Sequence, residues 1–176
     1  MNELDAVFAF LVALAVAAVT TPFVARLATR IGAVDEPRER GLAARVTPLL
    51  GGLAILAGVL VASAFFLPIT DETQGILLGA ALIAAVGAID DVIDLPPQWK
   101  LLGQIVAAII PVAAGVKVEH ITFPFLGALQ FGDVGGVLTV FGLVALMNVV
   151  NFSDGVDGLA AGVCAIAAVG FRSLSP

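Results

Sequence analysis

The chain has 176 residues, of which 60% are hydrophobic and 12% charged, and its mean hydropathy is +1.11. A soluble domain carries about 25% charged residues, so this composition excludes a soluble globular enzyme and a disordered chain, and the net charge of −6 argues against a nucleic-acid binder. The single cysteine, Cys164, excludes a disulfide framework and a cysteine-cluster metal site. The remaining class is a multi-pass membrane protein.

Six apolar runs predict an all-α polytopic membrane protein with about six transmembrane helices, since roughly 20 apolar residues cross the hydrocarbon core. In chain order they are residues 4–26, 49–68, 74–89, 101–116, 135–149 and 158–171. None shows the alternating polarity of a membrane-spanning strand. The first run follows an acidic flank, Met1–Asp5, which favours a retained span over a signal peptide.

The basic residues predict the orientation of these helices. Five of the eight lysines and arginines lie between positions 26 and 45, so the loop after the first helix is expected in the cytoplasm and the N-terminus outside. Alternation then places the segments 90–100 and 148–158 in the cytoplasm, and the Asp71-Glu72 loop and the stretch 117–134 outside. Three polar segments are thus expected on one membrane face, opposite a small hairpin in which His120 is structural and Asp133 forms a turn.

The first of the three segments, residues 34–52, ends with Pro48 and the pair Gly51-Gly52 at the start of a membrane helix. Paired glycines allow a backbone to approach a ligand closely, and a helix N-terminus favours phosphate. A plain cytoplasmic loop that follows the topology rules explains the arginines here, but it does not explain the glycine pair.

The second segment places Asp90, Asp91 and Asp94 at the end of an apolar helix. Acids near bilayer depth are functional candidates, and adjacent carboxylates repel each other unless a cation or proton lies between them. Such oxygen ligands suit Mg²⁺, with Mn²⁺ as the alternative ion. If the helix continues, Asp90 and Asp94 share a face; the alternative of a solvated loop acid fits Asp94 best.

Pro96-Pro97 is expected to start the next helix, where Lys100 is either an interface anchor or a phosphate contact.

The third segment carries four oxygen-bearing side chains at a spacing of three, Asn148, Asn151, Asp154 and Asp157. Capping of the next helix by Ser153 or Asp154 is the alternative interpretation. A cap accounts for one of these residues and leaves the others unexplained.

The order and spacing of the three segments resemble the polyprenyl-phosphate N-acetylhexosamine-1-phosphate transferases over roughly residues 34–162. The resemblance implies that Asp90 and Asp91 bind Mg²⁺ and activate the lipid phosphate. It also implies that the Asn-x-x-Asn-x-x-Asp-Gly-x-Asp-Gly motif lies in the nucleotide-sugar and catalytic cleft, with Asp154 and Asp157 catalytic and Asn148 and Asn151 binding substrate. The other positions that match the family, expected near the substrates, are Asp35, Arg40, Pro48, Gly51, Gly52, Lys100 and Gln104.

The implied reaction transfers N-acetylhexosamine-1-phosphate from a UDP-sugar to polyprenyl phosphate and releases UMP, which begins the synthesis of a cell-envelope glycan in the bacterial plasma membrane. The Asp-Asp-x-x-Asp-Leu form that ends with Asp94 and Leu95 resembles the N-acetylglucosamine branch. The implied partners are polyprenyl phosphate, the UDP-sugar and the lipid bilayer, and no nucleic-acid partner is expected. The chain could also form a homodimer.

Two departures from the family pattern limit what the resemblance implies. Ala43 stands where family members usually carry a histidine, and the family continues beyond residue 176. We therefore expect residues 1–176 to form one membrane domain, the N-terminal portion of a longer, truncated transferase, with little or no activity on its own. The alternatives are an inactive fragment or a small non-enzymatic membrane protein. A CDP-alcohol phosphotransferase is disfavoured because the core motif of that family, Asp-Gly-x-x-Ala-Arg, requires an arginine where this chain has Gly162 after Ala161.

Overall fold

The computed structural model describes residues 3–35, 46–123, 127–153 and 158–174. These residues form six α-helices and two small antiparallel sheets. The elements are α1 (Glu3–Ile31), β1 (Val34–Asp35), β2 (Thr47–Pro48), α2 (Gly51–Phe66), α3 (Asp71–Ile93), α4 (Pro97–Ala113), β3 (His120–Phe123), β4 (Gly127–Gln130), α5 (Val134–Ser153) and α6 (Leu159–Leu174). Each predicted apolar run coincides with one helix, which confirms the all-α polytopic fold class.

Three of the described helices are long and apolar enough to cross a membrane, namely Leu4–Ile31, Asp71–Ile93 and Val134–Ser153. The apolar helices Gly51–Phe66 and Leu159–Gly170 are shorter. At 1.5 Å per residue the 16 residues of α2 extend about 24 Å, less than the roughly 30 Å hydrocarbon core. The total of six spanning helices therefore stays a prediction.

The loop before α3 is shorter than the sequence predicted. Asp71 and Glu72 form the first turn of α3, where their charges favour the positive end of the helix dipole. Thr70 is the N-cap, and its hydroxyl accepts a hydrogen bond of 3.2 Å from the Thr73 N–H. The prediction of an Asp71-Glu72 loop was wrong because these acids initiate the helix instead of connecting two helices.

Small residues allow neighbouring helices to pack closely. A methyl group built on Gly58 in α2 would lie 2.5 Å from the Ala13 carbonyl oxygen of α1, and Ala54 and Ala62 are buried one turn away on either side. Likewise, a methyl group on Gly79 in α3 would lie 2.7 Å from the carbonyl oxygen of Ala107 in α4. Close backbone contact of this kind is how helices associate within a membrane.

We expect Gly58→Ala to lower the free energy of unfolding by about 1–3 kcal/mol, because the added methyl group meets a backbone carbonyl that cannot move aside. Gly87→Ala in α3 is the matched control, since its methyl group would have no neighbour within 4 Å. Alanine's higher helix propensity should make that variant slightly more stable. Thermal denaturation in detergent measures both variants, and an equal effect at the two positions would contradict the packing argument.

The predicted hairpin is present, with β3 paired to β4 and His120 opposite Gln130. Buried Thr139 holds it against α5, because its hydroxyl accepts a 2.8 Å hydrogen bond from the Val118 N–H. His120 lies exposed in a strand, and Asp133 lies in the turn between β4 and α5. The hairpin therefore occupies the end of the bundle where α4 ends and α5 begins.

A short sheet that the sequence did not predict joins α1 to α2. Val34 pairs with Pro48 and Asp35 with Thr47, and the Leu49 N–H donates a 3.0 Å hydrogen bond to the Ala33 carbonyl. These contacts place the start of α2 beside the end of α1, at the opposite end of the bundle from the hairpin.

Candidate active site

Asp90 lies in the last turn of α3 with both carboxylate oxygens engaged. Oδ1 accepts a 3.1 Å hydrogen bond from the Leu95 N–H, and Oδ2 forms a 2.7 Å ion pair with the Lys100 Nζ of α4. The helix ends at Ile93, because Asp94 adopts a left-handed conformation with φ 51° as its C-cap. Asp94 is exposed and leaves the helix, so the shared face with Asp90 is not formed. Pro97 begins α4, as predicted.

The neighbouring Asp91 contacts a different part of the chain. Its Oδ2 accepts a 3.0 Å hydrogen bond from the backbone N–H of Leu50, the residue that caps the N-terminus of α2. Within the described residues, Oδ1 has no hydrogen-bond partner. An anion at this position is stabilised by the helix dipole. Asp91 therefore holds α3 to α2 through Oδ2, and no described residue occupies Oδ1.

Leu50 is placed for this contact by its own burial. It is 5% exposed and packs against Ala28 and Ala33 at the end of α1. Its φ of 67° is left-handed, which costs a non-glycine residue about 1–2 kcal/mol. The hydrogen bond to Asp91 and the burial of the Leu50 side chain offset that cost. No pattern in the sequence indicated this backbone donor.

Gly51 and Gly52 follow directly and form the exposed first turn of α2. A methyl group built on either glycine would have no neighbour within 4 Å. Packing between helices therefore does not account for the glycine pair, in contrast to Gly58. The pair directly follows Leu50, whose N–H donates to the Asp91 carboxylate.

The first two turns of α4 extend the polar contacts to α5. Lys100 and Gln104 are four residues apart, so they lie on the same face of the helix. Gln104 is 4% exposed, and its Oε1 accepts a 2.8 Å hydrogen bond from the Asn148 Nδ2. The same Nδ2 donates to the Val144 carbonyl, also at 2.8 Å. We call Asp91, Asp90, Lys100, Gln104 and Asn148 the polar band; it connects α3, α4 and α5 and reaches the start of α2.

Two other predicted site residues that the structure describes are not among the residues of this band. Asp35 is exposed in β1, and Asn151 is exposed in the last turn of α5. Arg40, Asp154 and Asp157 lie outside the described residues. Ser153 does not cap the next helix, because it is the last residue of α5 and α6 begins at Leu159. Its hydroxyl donates to the Val149 carbonyl within α5 at 2.9 Å.

The two aspartates differ in their capacity to bind a cation. Within the described part of the chain, no group of three or more His, Cys, Asp or Glu side chains is arranged to hold a metal. Mg²⁺ is often bound by one or two carboxylates together with substrate phosphates. Asp91 Oδ1, which has no partner among the described residues, could serve as such a ligand. Asp90 already has a partner on each oxygen, and a cation bound there would compete with Lys100. These oxygen donors thus fit a cation that is bound partly by the protein and partly by the phosphates of a substrate.

Three known proteins illustrate which sequences this chain resembles. The chain is 40% identical over 163 residues to the "Probable undecaprenyl-phosphate N-acetylglucosaminyl 1-phosphate transferase" of Bacillus subtilis, covering 91% of this chain and 45% of the relative. It is 37% identical to the "Decaprenyl-phosphate N-acetylglucosaminephosphotransferase" of Mycolicibacterium smegmatis, covering 85% and 40%. It is 36% identical to the "Phospho-N-acetylmuramoyl-pentapeptide-transferase" of Saccharopolyspora erythraea, covering 88% and 51%.

The chain spans about half the length of these relatives or less. No solved structure matches it significantly. The profile of glycosyl transferase family 4 matches residues 73–175, more than half of the chain and all of the polar band. The chain therefore belongs to glycosyl transferase family 4.

Proposed function

We propose that this chain carries part of the active site of a polyprenyl-phosphate N-acetylglucosamine-1-phosphate transferase, which uses a UDP-sugar and releases UMP. The names of the Bacillus and Mycolicibacterium relatives support the acceptor lipid and the transferred sugar. The observation that carries the proposal is the polar band. It gathers two acids, a lysine and two amides from three helices at one end of an apolar bundle.

The reaction sets the requirements for the site. An oxygen of the lipid phosphate attacks the β-phosphorus of the UDP-sugar, the bond from that phosphorus to the bridging oxygen breaks, and UMP leaves with the bond's electron pair. Attacking and leaving groups are both anionic, so positioning and neutralisation of charge dominate catalysis. A phosphate monoester with a second pKa near 6 is largely ionised at neutral pH, so it needs little help from a base.

Each residue of the band has a role that follows from its contacts. Asp91 Oδ1, which has no partner among the described residues, would bind Mg²⁺ together with Asp90 once Lys100 is released. Bound Mg²⁺ would supply charge neutralisation for the phosphates. Lys100 Nζ, 2.7 Å from Asp90, would turn to a substrate phosphate. The first N–H groups of α2, at Gly51 and Gly52, have no partner within the helix and border open space.

An apolar groove beside the polar band fits the lipid substrate. The cavity between α4 and α5 has a volume of 670 Å³, and among its lining residues are Leu101, Ile105, Val112 and Val144. It begins one residue after Lys100 and runs along both helices to the turn at Asp133. An isoprenoid chain in this groove would place its phosphate next to Lys100.

The remaining assignments extend the same proposal. Asp154 and Asp157 act in catalysis, and Asp35, Arg40, Asn148 and Asn151 contact the substrates, as the family motif implies. The bacterial relatives support a location in the plasma membrane. The arginines in the last turns of α1 and in the segment that follows support an orientation with the polar band facing the cytoplasm and the N-terminus outside.

UMP release tests the proposal. Membranes containing the chain, or the chain completed with the C-terminal half of the Bacillus subtilis relative, are supplied with UDP-N-acetylglucosamine, undecaprenyl phosphate and Mg²⁺. We expect the completed protein to release UMP in proportion to the lipid phosphate added. The matched control replaces both Asp90 and Asp91 with asparagine. UMP release that survives this double substitution would contradict the roles assigned to the aspartates.

A further inference from the structure

The side-chain amide of Asn148 is held in one orientation by its hydrogen-bond partners. The Val144 carbonyl can only accept, so the Asn148 atom that lies 2.8 Å from it must be the donor Nδ2. The same nitrogen donates to Gln104 at 2.8 Å. Both Nδ2 hydrogens are therefore used within the protein, and Oδ1 is the only polar atom of this side chain that remains for a ligand.

Gln104 is oriented in turn by Asn148. The atom that faces Nδ2 must be an acceptor, which makes it Oε1; a rotated Gln104 amide would bring two donors together. Gln104 is 4% exposed, so water cannot compensate for such a mismatch. The bond to Val144 identifies Nδ2 as the donor but leaves the amide group free to pivot about that bond. The second bond, to Gln104 Oε1, removes this freedom.

We propose that Gln104 is a positioning residue that holds the Asn148 amide with its carbonyl oxygen, and not its nitrogen, toward the ligand. This inference rests on the proposed function for the identity of that ligand. The group that Asn148 meets must then be electropositive, either a hydrogen-bond donor of the nucleotide sugar or a divalent cation. A phosphate oxygen is excluded as its partner because both are acceptors.

Hydrogen exchange of the side-chain amide tests the orientation without any ligand. In ¹⁵N NMR spectra of the full chain in detergent, the Asn148 NH₂ signals are identified by their loss in Asn148→Asp. We expect both protons to exchange at least fivefold more slowly than those of exposed Gln98. In Gln104→Met, which keeps the side-chain length, one of the two should lose this protection. Exchange of both protons at the Gln98 rate in the unmodified chain would overturn the proposal.

A double-mutant cycle then separates positioning from simple packing. Binding of Mn²⁺ alone, and of UDP-N-acetylglucosamine in EDTA, is measured for the unmodified chain, Gln104→Met, Asn148→Asp and the double variant. We expect Gln104→Met to weaken binding about threefold to tenfold when Asn148 is present. When the same change is made in the Asn148→Asp variant, the effect should be less than about twofold, because a carboxylate presents an oxygen in either orientation.

The outcomes of the cycle distinguish the alternatives. Coupling seen with Mn²⁺ identifies the ligand as the cation, and coupling seen with the nucleotide sugar identifies a hydrogen-bond donor. An equal loss in both backgrounds means that Gln104 only packs, and it overturns the proposal. If neither the unmodified chain nor the completed protein binds either probe, the proposed function fails, and the amide exchange alone decides whether Gln104 positions Asn148.

Discussion

Asp91→Asn is expected to reduce UMP release by the completed protein at least about 100-fold while the helices remain folded. Asparagine keeps an oxygen that can accept the Leu50 N–H, so the connection between α3 and α2 is retained. What it loses is the negative charge on the second oxygen, which has no partner within the described residues. The measurement is UMP release, together with thermal denaturation of the same preparation.

Two further variants make this result specific. Asp91→Ala removes the hydrogen bond to the Leu50 N–H as well as the charge, so it should also lower the free energy of unfolding by about 1 kcal/mol. Asp94→Asn is the matched control, because Asp94 is exposed beyond the same helix end and asparagine tolerates its left-handed backbone. Near-normal UMP release by Asp91→Asn, or an equal loss in Asp94→Asn, would contradict the role given to Asp91.

The sequence predicted the parts of this fold that follow from local patterns. The apolar runs indicated the six helices, Pro96-Pro97 marked the start of α4, and the β-prone stretch around His120 indicated the hairpin. Alternation of the helices also predicted that Asp90, Lys100 and Asn148 lie at one end of the bundle.

Contacts between distant residues and the details of helix ends were beyond such patterns. The hydrogen bond from Leu50 to Asp91 joins residues 41 positions apart and depends on a left-handed backbone at a leucine, which composition does not indicate. The sheet of β1 and β2 has only two residues in each strand, too few for a periodic signal. Asp94 was open to two interpretations, a residue within α3 or one beyond its end. The backbone conformation of the C-cap decides between them, and the sequence does not indicate it.

Lys100→Met is expected to change cation binding and catalysis in opposite directions. Lys100 pairs with Asp90 at 2.7 Å, and the side chains are 31% and 18% exposed, respectively. Removing the ammonium group leaves Asp90 Oδ2 free, so affinity for Mn²⁺ should rise by up to about fivefold, the range measured for partly exposed ion pairs. UMP release by the completed protein should fall about 100-fold, because the positive charge expected to meet a substrate phosphate is gone.

The opposite signs are what make this prediction informative. A substitution that only loosened the fold would both weaken Mn²⁺ binding and slow UMP release. Removal of the Lys100 ammonium group should instead strengthen Mn²⁺ binding, because a competing cation is lost, and slow UMP release, because a phosphate partner is lost. Lys117→Met, at the opposite end of the bundle beside the hairpin, is the matched control and should change neither quantity. Weaker Mn²⁺ binding in Lys100→Met would mean that the ion pair supports the structure of the site, and that Asp90 does not exchange Lys100 for a metal ion.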